Sequence, residues 1–420
     1  MPAAPWLFAP TTRAVSVLGV TQIVGWGTTY AVPAILVDPI SRDLGIPPSL
    51  VFAGISVMLL VNAAAAPLLG PKIDRIGAAP VLLVGSIVMA AGLGLLALSV
   101  GPITYLCAWA VLGIGMATAL ATPAFAALVA IGGRGARRHI ATLSLFTGLS
   151  STVFWPAMLW LHGMMDWRSI LFCFAVLHLV LCLPLHALVL PRRTDPASAD
   201  PEATGQRPVP AALSAMDERK AFWLVALAFA SAGFVGWGLA LQLPELFKQL
   251  GLAATTAITI AALAGPVQVA ARAIDMALSS RTTALGVART ASMLLPASLA
   301  GLVVVTLVVP LQVPLLVACL VVFVMSWGAA NGLTSVARAA VPLELFDPNR
   351  FATAMGRLAI MQNIAFASAP VVLAAALHRY GPTTAVVLST ILALVALGAM
   401  IALSRLVDGA RSKGSAPDAG

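Results

Sequence analysis

Two arginines interrupt long apolar stretches of this 420-residue chain. Arg272 stands in GPVQVAARAID (265–275), four residues after Gln268, and Arg357 stands in MGRLAIMQN (355–363). A guanidinium presents its donors in a planar fork that matches a carboxylate or another oxyanion bidentately, and such bonds are strong where water is excluded. The chemistry these residues offer is recognition of a small anion. Four positions along a helix is one turn on the same face, so Gln268 accompanies Arg272, but an amide takes up no proton. Gln22, Tyr30, Asn62, Gln242, Asn331, Gln362 and Asn363 also lie in apolar stretches. Each suits an interhelical hydrogen bond, and Gln22, Tyr30 and Asn331 are taken here as candidate substrate contacts. Catalysis has far less support: H-E-x-x-H and G-x-S-x-G motifs are missing, and Cys107, Cys173, Cys182 and Cys319 have no metal-ligand spacing. No cofactor and no metal is expected. His139, His162, His178, His186 and His378 are scattered along the chain, and no role follows for them.

The elements that must hold these groups follow from composition. Sixty per cent of the residues are hydrophobic and 9% charged, with a mean hydropathy of +1.00. Soluble domains have roughly 45–50% apolar and about 25% charged residues. The chain therefore lives in a membrane. Runs long enough to span a bilayer, about 20 residues each, are expected at 14–37, 49–69, 79–100, 102–130, 140–162, 169–190, 221–243, 253–276, 287–309, 312–335, 351–376 and 382–405. Residues 191–220 hold five prolines and a concentration of charge, which predicts a linker between a first half, 1–190, and a second half, 221–420. With the N-terminus inside, 20 of the 24 Lys and Arg fall on the cytoplasmic side, and only Arg42, Arg168, Lys248 and Arg379 fall outside. Both termini are then cytoplasmic, and the first helix serves as an uncleaved insertion signal. The basic residues are spread over many loops, so the net charge of +9 reflects topology and no nucleic-acid partner is expected.

Two apolar stretches carry the same signature. Residues 25–33 read GWGTTYAVP and residues 236–244 read GWGLALQLP; Trp237 minus Trp26 and Pro244 minus Pro33 both give 211. The same offset relates Ala141-Thr142 to Ala352-Thr353 and Arg168 to Arg379. The chain is read as a duplicated six-helix unit, with two parallel repeats and a ligand site between them. Trp26 and Trp237 become candidate lining residues of that site.

Between the second and third spans stands GPKIDRIG (70–77). Gly70, Asp74, Arg75 and Gly77 reproduce a G-x-x-x-D-R-x-G signature, and the chain resembles the major facilitator superfamily in helix count, linker position and charge bias. That resemblance implies an all-α integral membrane fold of 12 transmembrane helices. It also implies a gate latch, in which Asp74 meets the N-terminus of the eleventh helix near Arg350–Thr353. Ala78 and Ala79 stand where the family places a basic pair. The Gln268–Arg272 stretch resembles that of monocarboxylate carriers, with Gln268 in place of their acid. Arg272 together with Arg357 is similar to the cation pair of oxalate-type carriers. The implied function is transport of a small organic anion by alternating access; efflux of a metalloid or a drug-like compound is the alternative. The expected protein is a monomer in the inner (plasma) membrane, in contact with lipids and a small-molecule substrate.

Overall fold

The computed structural model describes residues 10–190, 213–279, 281–308 and 311–414, and these are almost entirely helical. Ten of the described helices are long and apolar enough to cross a membrane, and an eleventh span is a bent pair, Thr11–Ile35 with Val37–Leu44, turned through 67°. The last of the ten, Phe351–Gly414, has 64 residues, or about 96 Å at 1.5 Å per residue, three times the hydrocarbon thickness. Gly381, with φ 84° and ψ 176°, divides it into two spans. Twelve spans result among the described residues.

In chain order the first span is the bent pair, followed by Pro48–Ile76, Ala78–Ala97, Pro102–Gly132, Ala136–His162 and Trp167–Leu188. The seventh to tenth are Ala215–Gln249, Ala254–Leu278, Ala284–Val308 and Val313–Leu345. The eleventh (351–380) and twelfth (382–414) come from the divided helix. The seventh helix starts at Ala215, where the Ser214 side chain accepts a bond from the Asp217 backbone N–H. The last six residues of the expected linker are thus the opening turns of a span, while 191–212 lie outside the described residues.

The breaks have sequence causes. Proline removes an N–H and its ring clashes with the carbonyl four residues back. Pro39 accounts for the bend at Leu36, and Pro123 for the interruption at Leu120, whose ψ is −140°. Pro184 follows a π turn at His178–Cys182, a wider turn that relieves the same clash.

The described residues pack as two compact units. One is drawn from Met1–Arg207 and Asp347–Ile360, the other from Pro208–Phe346 and Met361–Gly420. In the first, Tyr105 and Trp109 of the fourth span are fully buried, and the Tyr105 hydroxyl donates to the Val51 carbonyl at 2.8 Å. In the second, Val235, Leu239, Phe247, Leu299, Phe323 and Trp327 belong to one buried cluster. The offset of 211 recurs in the packing: a Cβ on Gly25 would lie 2.4 Å from the Leu120 side chain, and one on Gly236 would lie 2.2 Å from Asn331 Oδ1. Asn331 minus Leu120 is again 211, so the seventh and tenth spans meet at the position where the first and fourth meet.

Candidate functional site

In the second unit four spans bring polar and aromatic groups together. Arg272 donates from Nη2 to Gln268 Oε1 at 3.5 Å, the spacing of one helical turn. The tenth span, which carries Arg338, packs on the eighth beside Arg272: a Cβ on Gly332 would stand 2.6 Å from the Gln268 carbonyl oxygen and 3.0 Å from the Ala271 Cβ. The Arg338 Cζ stands 5.4 Å from the Phe366 ring of the eleventh span, and Phe366 is stacked on Trp237 of the seventh with centroids 5.6 Å apart. Asn331 donates from Nδ2 to the Trp327 carbonyl at 2.8 Å, which turns its Oδ1 toward Gly236. A side chain at 236 has no room, so this glycine sets how closely the seventh span approaches Asn331. Like charges near one another in a poorly screened interior repel, and an anion bound beside both lowers that energy. The aromatic stack supplies an apolar wall and a cation–π partner for Arg338.

In the first unit the first span carries Gln22, Trp26 and Tyr30 along one stripe. Trp26 Nε1 donates to Gln22 Oε1 at 3.3 Å, and Trp26 stacks on Tyr30 with centroids 5.1 Å apart. Gln22 is fully buried and its Nε2 donates to the Ala119 carbonyl at 2.8 Å. Pro123 has no N–H for that carbonyl. Gln22 therefore satisfies an acceptor that the proline leaves open, and both ends of its amide are engaged within the unit.

The G-x-x-x-D-R-x-G stretch ends the second span. Asp74 accepts from the Ala352 backbone N–H at 3.0 Å, the Thr353 backbone N–H at 2.8 Å and the Thr353 hydroxyl at 2.5 Å. A carboxylate here meets the free donors and positive end of a helix. Gly70, one turn earlier, permits the approach: a Cβ there would stand 2.5 Å from the Ala352 carbonyl oxygen. Gly77 has φ 86°, which other residues rarely adopt, and turns the chain into the third span. Arg75 is exposed. Arg357 lies in the segment packed with the first unit and is also exposed, whereas Arg272 is half-buried in the second.

The family model described as Major Facilitator Superfamily matches residues 17–340, more than three quarters of the sequence. The chain belongs to the major facilitator superfamily. It is a multi-pass membrane transporter, with the helical fold that membership entails. Among solved structures, the human organic anion transporter MFSD10 (TETRAN) is similar at TM-score 0.67 and 17% identity, covering 93% of this chain and 99% of its own. The proton:xylose symporter XylE bound to 6-bromo-6-deoxy-D-glucose is similar at TM-score 0.71 and 13% identity, with 96% of each chain covered. No curated protein matches the sequence.

Two features of this facilitator escaped sequence reasoning. Arg338 lies beyond 335, the expected end of the tenth span; the helix continues to Leu345, which puts Arg338 two turns inside it. The histidines are scattered along the sequence, which assigns them no role. His178 and His186 are instead buried on the sixth span, where both bond to hydroxyls of neighbouring spans. Pro184 was the available signal, because it predicts a local change of helical pitch between or beside them.

Proposed function

We propose that this transporter carries a small organic anion, of the size of a mono- or dicarboxylate, and that the anion binds at Arg272 and Arg338. The observation that carries the reading is the close packing of the eighth span, with Arg272 and Gln268, on the tenth, with Arg338, beside the stacked Trp237 and Phe366 in one unit. Intramembrane cations are costly to keep and mark substrate pathways. Arg338 thereby joins the residues inferred from sequence, and Gln268, Trp237 and Asn331 serve to orient the anion. Trp26 and Tyr30 are proposed as an aromatic contact surface on the first span, with Gln22 as its anchor. The fold neighbours are an anion transporter and a sugar symporter, so the fold alone does not select the cargo.

Asp74, with Gly70 and Gly77 shaping its turn, is proposed as the gate latch of an alternating-access cycle, made in one state and broken in the other. The carrier is proposed to act as a monomer in the plasma membrane, with lipids around it; the charge bias of its loops supports both termini in the cytoplasm.

Reconstitution into liposomes tests the cargo. Exchange of radiolabelled lactate or oxalate is expected in the parent protein and is expected to be lost in Arg272→Gln and in Arg338→Gln. Arg357→Gln reports whether that arginine also reaches the anion. Exchange that persists in both of the first two variants contradicts the site, and a response to arsenite, antimonite or hydrophobic cations alone moves the function to efflux.

A further inference from the structure

The sixth span holds two histidines in its apolar interior, His178 at 2% and His186 at 1% exposure. Eight positions apart in a regular α-helix, they would point about 80° away from each other. The π turn at His178–Cys182, closed by the bond from the Leu183 N–H to the His178 carbonyl, absorbs one extra residue and brings such positions to within about 20°. Pro184 thus places both imidazoles on one face.

That face meets the first and third spans through three hydroxyls. His178 Nε2 is 3.0 Å from Thr28 Oγ1, His186 Nε2 is 3.0 Å from Thr21 Oγ1, and His186 Nδ1 is 2.9 Å from Ser86 Oγ. Each hydroxyl has a second acceptor on its own helix: the Val24 carbonyl for Thr28, Leu18 for Thr21 and Leu82 for Ser86. A hydroxyl so placed has two settings. It donates to a bare imidazole nitrogen, or it rotates its hydrogen to the backbone and accepts an imidazole N–H. His186 is therefore hydrogen-bonded at both ring nitrogens whether neutral or protonated, while His178 is bonded at Nε2.

Among the described residues the partners of the two imidazoles are hydroxyls, not carboxylates. The third span has no ionisable side chain; the first has Arg13, exposed near its start, Tyr30, stacked on Trp26, and Asp38, Arg42 and Asp43 in its short second arm; the fifth has Arg137, Arg138, His139 and His162; and the sixth itself adds Arg168, Cys173 and Cys182 after its cap Asp166. A proton taken up there is not held by a neighbouring carboxylate and remains free to leave.

We propose that the His178–His186 pair is the proton-binding site of this carrier and takes up one proton in each transport cycle. The lone pair of an imidazole nitrogen forms the N–H bond with a proton from water on one side of the membrane, and the same bond breaks to water on the other. The inference rests on the anion-carrier reading for its purpose: one proton offsets the charge of a monoanion that would otherwise move against an inside-negative potential. Coupling runs through the first span, which bears Thr21 and Thr28 on one face and the Gln22–Trp26–Tyr30 stripe on another.

The test uses the full chain in liposomes with radiolabelled lactate and oxalate. Exchange against internal anion, without a pH gradient, reads the carrier function alone; net uptake driven by a pH gradient reads the proton site. In His178→Gln/His186→Gln, exchange is expected to stay within about twofold of the parent while gradient-driven uptake falls about tenfold or more. Gradient-driven uptake that survives in this variant, or that is lost only in Asp275→Asn, which removes the buried carboxyl three residues after Arg272 on the eighth span, overturns the proposal. Absence of exchange with either probe defeats the anion reading and leaves the proton site to a second measurement. In histidine-labelled protein in nanodiscs, one of the two imidazole signals assigned through the single His178→Gln and His186→Gln variants should move to the imidazolium position between about pH 8 and about pH 4. Two signals that remain neutral throughout overturn the proposal whatever the transport assay gives.

Discussion

Gln22 donates its amide N–H to the carbonyl oxygen of Ala119 across 2.8 Å, from one span to another. Pro123 is the residue whose N–H would have served that oxygen. Gln22→Leu leaves a buried carbonyl unpaired and should cost about 1–3 kcal/mol of stability. Pro123→Ala restores a backbone donor, so the loss in Gln22→Leu/Pro123→Ala should be smaller than the sum of the single effects by about 1 kcal/mol. Denaturation midpoints of the four proteins check this, and strict additivity contradicts it.

Asp74 holds three donors at the start of the eleventh span. Replacement by Ala is expected to lower stability by about 2–3 kcal/mol, the scale of a lost charge-assisted cap. Gly70→Ala acts without touching the charge, because its methyl meets the Ala352 carbonyl; overpacking of this kind costs about 1–3 kcal/mol. Both substitutions should raise the rate at which a thiol reagent labels a cysteine placed at Thr353. Unchanged labelling in both contradicts the latch.

Arg168 joins three elements of the first unit. Its guanidinium donates to the Ala97 and Ser99 carbonyls and pairs with Asp43 at 2.8 Å, while Trp167 Nε1 donates to the same carboxylate at 3.1 Å. An exposed ion pair alone is worth about 0–1 kcal/mol, but a lysine has no planar fork to reach carbonyls and carboxylate together. Arg168→Lys should therefore destabilise by about 1–2 kcal/mol, more than Asp43→Asn. Melting temperatures that rank the two variants in the opposite order refute the account of this corner.

The fold was legible because its signals are long or local. Apolar runs mark spans one by one, and Gly70 with Asp74 one turn later is a compact pattern whose geometry the second span alone sets. The Gln268–Arg272 spacing was legible for the same reason. Arg338 was hidden by a span boundary placed ten residues early, since Thr334, Ser335 and Arg338 read as an exit from the membrane when they are a polar face within a continuing helix. The histidine pair depended on a π turn, which the 3.6-residue period does not contain. The task of Gln22 depended on a proline 101 positions later in a different span, a relation that no local pattern records.

The central claim is that a small anion binds at Arg272 and Arg338, and thermal stabilisation of the purified transporter tests it most directly. At about 100 times its dissociation constant a ligand of the folded state adds about 2.7 kcal/mol. The account predicts that lactate, oxalate or a related carboxylate raises the melting temperature of the parent protein and that Arg272→Gln and Arg338→Gln each abolish the rise. A carboxylate response that survives both substitutions, or a response confined to arsenite, antimonite or hydrophobic cations, contradicts it.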